Sequence, residues 1–130
     1  MERADILVVE DSIDEREALC LILEGEGYRV TAVAGGEAAL RYMRSAEVLP
    51  GVIVLDLMMV GTNGWEFRTE QLRDLRLASI PVIVSSGDGR IIEKAFALGI
   101  SDHLPKPIDF PALLEVIKRV CPVGSAGTVH

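Results

Sequence analysis

The stretch VIVLDLMM, residues 52–59, runs four apolar residues into an aspartate and follows it with three more. Continuous apolar runs of this kind read as strands buried on both faces, the pattern of a parallel sheet. An ionised carboxylate is costly to remove from water unless something pairs with it. Asp56, at the end of the most apolar strand, therefore calls for a cation nearby.

The same rhythm recurs on either side. DILVV (Asp5–Val9), YRVTAV (28–33), IPVIVSS (80–86) and DHLP (Asp102–Pro105) read as four more strands. Helical patterns separate them. Residues 13–26 form the first, with Asp14 as candidate N-cap and Ala18, Leu21, Ile22 and Gly25 in helical spacing, ending at Gly27. A second runs from Gly35-Gly36 through EAALRYMRS, and Pro50-Gly51 breaks the chain after it. Gly61, Asn63 and Gly64 make a loop after the third strand. A third helix is expected over about 65–76, with Trp65, Leu72 and Leu75 on one face. After a turn at Gly87-Asp88-Gly89, Ile91, Ile92, Ala95 and Phe96 form the stripe of a short fourth helix that stops at Gly99. The last helix begins near Asp109, a good N-cap, with Pro111 in its first turn. Its apolar face is Phe110, Leu113, Leu114, Ile117 and Val120. Five alternating βα units predict a doubly wound α/β fold, whose working site lies at the carboxyl ends of the strands.

Composition narrows the function. A chain of 130 residues fits one domain, and a net charge of −7 without a basic cluster argues against direct nucleic-acid binding. No apolar run is long enough to span a membrane. The opening MERAD lacks the apolar core of a signal peptide, so a cytoplasmic protein is expected. Cys20 and Cys121 make no disulfide framework and read as reduced thiols, Cys20 as a small core filler.

The strand-end rule gathers one set of residues. Glu10 and Asp11 follow the first strand, Asp56 ends the third, Ser85 and Ser86 end the fourth, and Lys106 follows the fifth. Taken singly, each has a bland reading as a helix cap, a strand end or a surface lysine. Together, three acids on one rim repel one another unless an amine or a metal sits among them. Oxygen ligands without a Cys/His cluster suit Mg²⁺. A carboxylate held beside such charges can act as a nucleophile toward a phosphoryl group.

In these residues the chain resembles the receiver domain of two-component response regulators. The likeness spans about residues 4–121 and rests on VVEDS, VLDLMM…G…NG, PVIVSSG and LPKPI in that order. It implies a flavodoxin-like (βα)5 three-layer sandwich with a five-stranded parallel sheet. Residues 1–121 would be the receiver and 122–130 a flexible C-terminal tail. By the resemblance, Asp56 is the phosphoacceptor, and Glu10, Asp11, Asp56 and the Met58 carbonyl hold Mg²⁺. Ser86 is the switch hydroxyl, Lys106 contacts the phosphoryl group, and the bond before Pro107 is cis. The implied phosphodonor is a phosphohistidine on a sensor histidine kinase or a histidine phosphotransfer protein. Signal would leave through the face of the fourth helix, fifth strand and last helix, to a downstream protein or a second copy. The expected role is that of a signalling module and not an enzyme.

The pattern departs from the family at two positions. Val60 stands where receivers often carry proline, and His103 where they usually carry Tyr or Phe. Met58 and Asp88, each two residues beyond a site residue, occupy positions that tune attack by water in similar domains. Two rival readings stand beside this one. A Mg²⁺-dependent aspartate-nucleophile hydrolase needs a second acid where Met58 stands. A degenerate receiver, acting only as a binding module, would have no use for all of Glu10, Asp11, Asp56, Ser86 and Lys106. The chain also suits either a stand-alone receiver or part of a longer regulator or hybrid kinase.

Overall fold

The computed structural model describes residues 5–57, 64–88 and 95–121. Strands β1 (Asp5–Val9), β2 (Arg29–Val33), β3 (Val52–Asp56), β4 (Val82–Ser86) and β5 (Asp102–Pro105) form one sheet in the order β2-β1-β3-β4-β5. Every pairing is parallel. The helices are α1 (Ile13–Gly25), α2 (Gly36–Ser45), α3 (Gly64–Arg73) and α4 (Phe110–Val120). The expected tail over 122–130, Met58, Val60, and Ile91 and Ile92 of the expected fourth helix lie outside the described residues.

Strand alternation builds two cores, one on each face of the sheet. Leu7, Val9, Ile53, Leu55, Val82 and Val84 pack with Ala39, Leu40 and Met43 of α2 and Phe67 of α3. Ile6, Val8, Val52, Val54 and Ile83 pack with Leu19 and Leu23 of α1 and with Leu113, Val116 and Ile117 of α4. All five positions of β3, and all five of β4, are buried, as unbroken apolar strands require. From β1 the chain turns to β2 on one side and to β3 on the other, so strand order reverses between β1 and β3. The carboxyl ends of those two strands are where such folds place their sites.

Several local expectations need correction. The N-cap of α1 is Ser12, whose hydroxyl accepts from the Glu15 N–H, and not Asp14. Its buried face is Leu19 and Leu23, while Leu21 is 73% exposed. Helix α3 ends at Arg73, short of the expected 76, and buries Phe67, Arg68 and Gln71. Trp65 is only half-buried, and Leu72 and Leu75 face solvent. The Gln71 amide donates to the Leu77 and Ile80 carbonyls, at 2.9 and 3.1 Å, and so ties down the loop that replaces the last turn. β4 begins at Val82 rather than Ile80, because Pro81 has no N–H for the ladder. Cys20 is half-buried rather than a core residue, and burial pushes its thiol up.

Other expectations hold. Asp109 caps α4 by accepting from the Ala112 N–H, with Pro111 in the first turn. The segment after Ala95 ends at Gly99, whose φ of +71° lies in the left-handed region that glycine adopts without strain. Among the described residues, no helix is long and apolar enough to cross a membrane.

Candidate functional site

Three carboxylates and an amine meet at the reversal point. Val9 is in register with Leu55, so Glu10 and Asp56 follow side by side at the ends of β1 and β3. Glu10, Asp11 and Asp56 each offer a carboxylate oxygen within 4.8 Å of the others. The Lys106 ammonium, delivered by the end of β5, donates to Asp56 Oδ2 at 3.1 Å and Glu10 Oε1 at 3.1 Å. The side chains of Glu10 and Asp56 are only 2% and 4% exposed. This is the pairing that allows Asp56 to end an apolar strand.

Burial and the charge of Asp56 push the Glu10 carboxyl up to about 7, against the pull of the Ser12 N–H and of Lys106. Burial alone would favour the neutral amine at Lys106. Hydrogen bonds to Asp56 and Glu10, and the charges of both, outweigh it and hold the ammonium pKa above the usual lysine range. One cation among three carboxylates leaves net negative charge in a nearly dry pocket. An all-oxygen donor set of this charge fits Mg²⁺, whose ligand oxygens lie up to ~4 Å apart across the ion.

The backbone fixes this geometry. Gly64 opens α3 directly over the end of β3, its N–H donating to the Leu57 carbonyl at 3.1 Å. A Cβ at Gly64 would lie 2.7 Å from Leu57 Cα and 3.0 Å from the Asp56 carbonyl oxygen, so only glycine permits the approach. The Lys106-Pro107 bond is cis, as the resemblance implied.

Ser86 reaches the same rim by register, opposite Pro105 of β5. Its hydroxyl accepts from the Asp88 N–H at 3.0 Å and lies 3.3 Å from the Asp88 carbonyl. His103 is half-exposed on β5 and meets Phe96 edge to face, ring centroids 5.3 Å apart. Among the described residues its buried Nδ1 has no hydrogen-bond partner, and the nearest Asp102 oxygen, at 3.9 Å, is too far for one.

Two site residues escaped sequence reasoning. Glu15, in the first turn of α1, is a third acceptor for Lys106, at 3.2 Å. The Arg16 guanidinium donates to the Glu10 carbonyl at 2.8 Å and holds the loop that carries Glu10 and Asp11. The available signal was their place in the first turn of a helix that starts at the rim.

Comparison with known proteins decides the family. The family model described as the response regulator receiver domain matches residues 6–118. The chain belongs to the response regulator receiver family. It is 31% identical to PilH of Pseudomonas aeruginosa over 119 residues, 90% of this chain and 97% of that protein. It is also 31% identical to the phosphate regulon regulator PhoB of Escherichia coli K12, over 88% of this chain but only 50% of PhoB. A crystal structure of a response regulator receiver protein from Pseudomonas putida superposes with a TM-score of 0.83 at 32% identity, covering 92% of this chain and 98% of that one. As a receiver, the chain is a signalling module of two-component systems. Receivers of this family bind Mg²⁺ at an acidic pocket and interact with histidine kinases or phosphotransfer proteins.

Proposed function

We propose that this receiver takes a phosphoryl group on Asp56 from a phosphohistidine of a sensor histidine kinase or a histidine phosphotransfer protein. The observation that supports it most is the convergence of the three carboxylates with the Lys106 ammonium at 3.1 Å from Asp56. Glu10, Asp11 and Asp56 hold Mg²⁺, with the Met58 carbonyl, outside the described residues, as a further oxygen ligand. When bound, the ion supplies positive charge against the developing charge on the phosphoryl oxygens.

The Asp56 carboxylate attacks phosphorus, and the bond from phosphorus to the donor imidazole breaks. The imidazole leaves with the bonding electrons. Phosphoryl transfer asks mainly for positioning and charge neutralisation. β3 aims Asp56, and the Gly64 contact keeps it aimed. Lys106 neutralises charge on the phosphoryl oxygens, and the Ser86 hydroxyl exchanges Asp88 for the phosphoryl group. The change at Ser86 and Asp88 passes to the face containing Phe96, His103 and α4, which meets a downstream protein or a second copy. His103 stands at the position of the usual aromatic switch and meets Phe96 edge to face on that surface. The protein acts in the cytoplasm, beside its kinase, and contacts neither nucleic acid nor membrane itself.

Intact-mass spectrometry after incubation with acetyl phosphate and Mg²⁺ tests the reading. Wild-type protein should gain one phosphoryl group and Asp56→Asn none. No gain in the wild type would instead make the chain a receiver that works by binding alone.

A further inference from the structure

We propose that Glu15 is a displaceable counter-ion for Lys106, the group that gives way when a phosphoryl oxygen arrives. The proposal rests on the phosphoacceptor reading above and adds a residue to it.

A lysine ammonium has three N–H donors and no more. Here Lys106 has three carboxylate acceptors: Glu10 at 3.1 Å, Asp56 at 3.1 Å and Glu15 at 3.2 Å. Its donors are therefore fully committed. Contact with a phosphoryl oxygen requires one acceptor to be released.

The three acceptors differ in what release costs. Glu10 and Asp56 are 2% and 4% exposed, so freeing either leaves a buried carboxyl group without its partner. Glu15 is 46% exposed, and water takes over its solvation at once. It is also the only one of the three on a helix rather than at a strand end, so its side chain swings away without disturbing the sheet. The order of release follows from burial, with Glu15 first.

Glu15 is thus a positioning residue that acts through Lys106. It holds the ammonium aimed at Asp56 in the resting state and adds a competing negative charge that an incoming phosphoryl group must displace. A half-exposed ion pair is worth a factor of roughly two to five in an equilibrium or rate. Removing the Glu15 charge should accelerate phosphorylation by that factor.

The test measures the rate of mass gain with sub-saturating acetyl phosphate and Mg²⁺ in wild type, Glu15→Gln and Asp14→Asn. Asp14 is the neighbouring exposed acid in the first turn of α1, so its variant removes the same charge from the same turn without touching Lys106. The expected result is a roughly two- to five-fold faster gain for Glu15→Gln and a wild-type rate for Asp14→Asn. Equal acceleration in both variants overturns the proposal, because a general loss of repulsion would explain it. A Glu15→Gln rate at or below wild type overturns it too, while leaving Asp56 the acceptor. No gain in wild type overturns both the acceptor reading and this one.

Discussion

The Lys106 Nζ lies 3.1 Å from Asp56 Oδ2, joining the end of β5 to the end of β3 across the width of β4. It equally holds Glu10, from the end of β1. The ammonium is thus the cross-brace among three strand ends and the counter-charge for two buried acids. Lys106→Met removes one partner of a buried ionic group, a change that typically costs about 3–5 kcal/mol. Urea unfolding at neutral pH without Mg²⁺ should show a large drop in midpoint, partly recovered when Mg²⁺ is added. An unchanged midpoint would mean that the brace contributes nothing.

The raised Glu10 pKa gives a pH dependence of definite sign. A carboxyl whose folded pKa lies above its unfolded value binds its proton more tightly when folded. Its stabilising contribution is full below about 4.5 and is lost as pH rises to about 7. In chelator, wild-type stability should therefore decline over that window relative to Glu10→Gln, by at most about 3 kcal/mol. Denaturant titrations of both proteins at several pH values check it. Parallel curves for the two would refute the assignment.

Gly64→Ala should damage the site more than its size suggests. The new methyl would meet backbone at 2.7 Å, where no side chain can rotate away. Overpacking of this kind costs about 1–3 kcal/mol, and here the displaced atoms belong to Asp56 and Leu57. Thermal unfolding should fall by several degrees. The rate of phosphoryl uptake should fall as well, since the carboxylate loses its aim. A variant with wild-type melting and uptake would show that the approach is looser than described.

The buried Arg68–Gln71 pair makes a separate prediction. The Arg68 guanidinium donates to the Leu98 and Gly99 carbonyls at 3.0 Å each, and to Gln71 Oε1 at 2.8 Å. It links α3 to the turn that leads into β5, and burial lowers its pKa. Arg68→Met would orphan those carbonyls and cost about 1–3 kcal/mol. The loss should appear as faster amide exchange around residues 95–100, with the Mg²⁺ site unaffected. Unaltered exchange there would argue that the pair does not hold the turn.

That pair also explains where sequence reading failed. β3 was legible because only a buried central strand is apolar without alternation, and Asp56 stood out against it. The rim residues were legible because parallel strands all end on one side. Helix faces were harder. In α3 two buried positions, Arg68 and Gln71, are polar, so the visible stripe pointed to Leu72 and Leu75, which are exposed. In α1 apolar residues lie on more than one face, and nothing local selects Leu19 and Leu23 over Leu21. Glu15 escaped because its partner, Lys106, is 91 residues away and only the assembled sheet brings them together.

The most direct test is a crystal structure of the protein with Mg²⁺ and beryllofluoride, a phosphoryl mimic. The account predicts the mimic on Asp56, a cation among Glu10, Asp11 and Asp56, and Lys106 turned from Glu15 to a fluoride. A pocket holding neither group at saturating concentrations, with Lys106 still bound to Glu15, would contradict it.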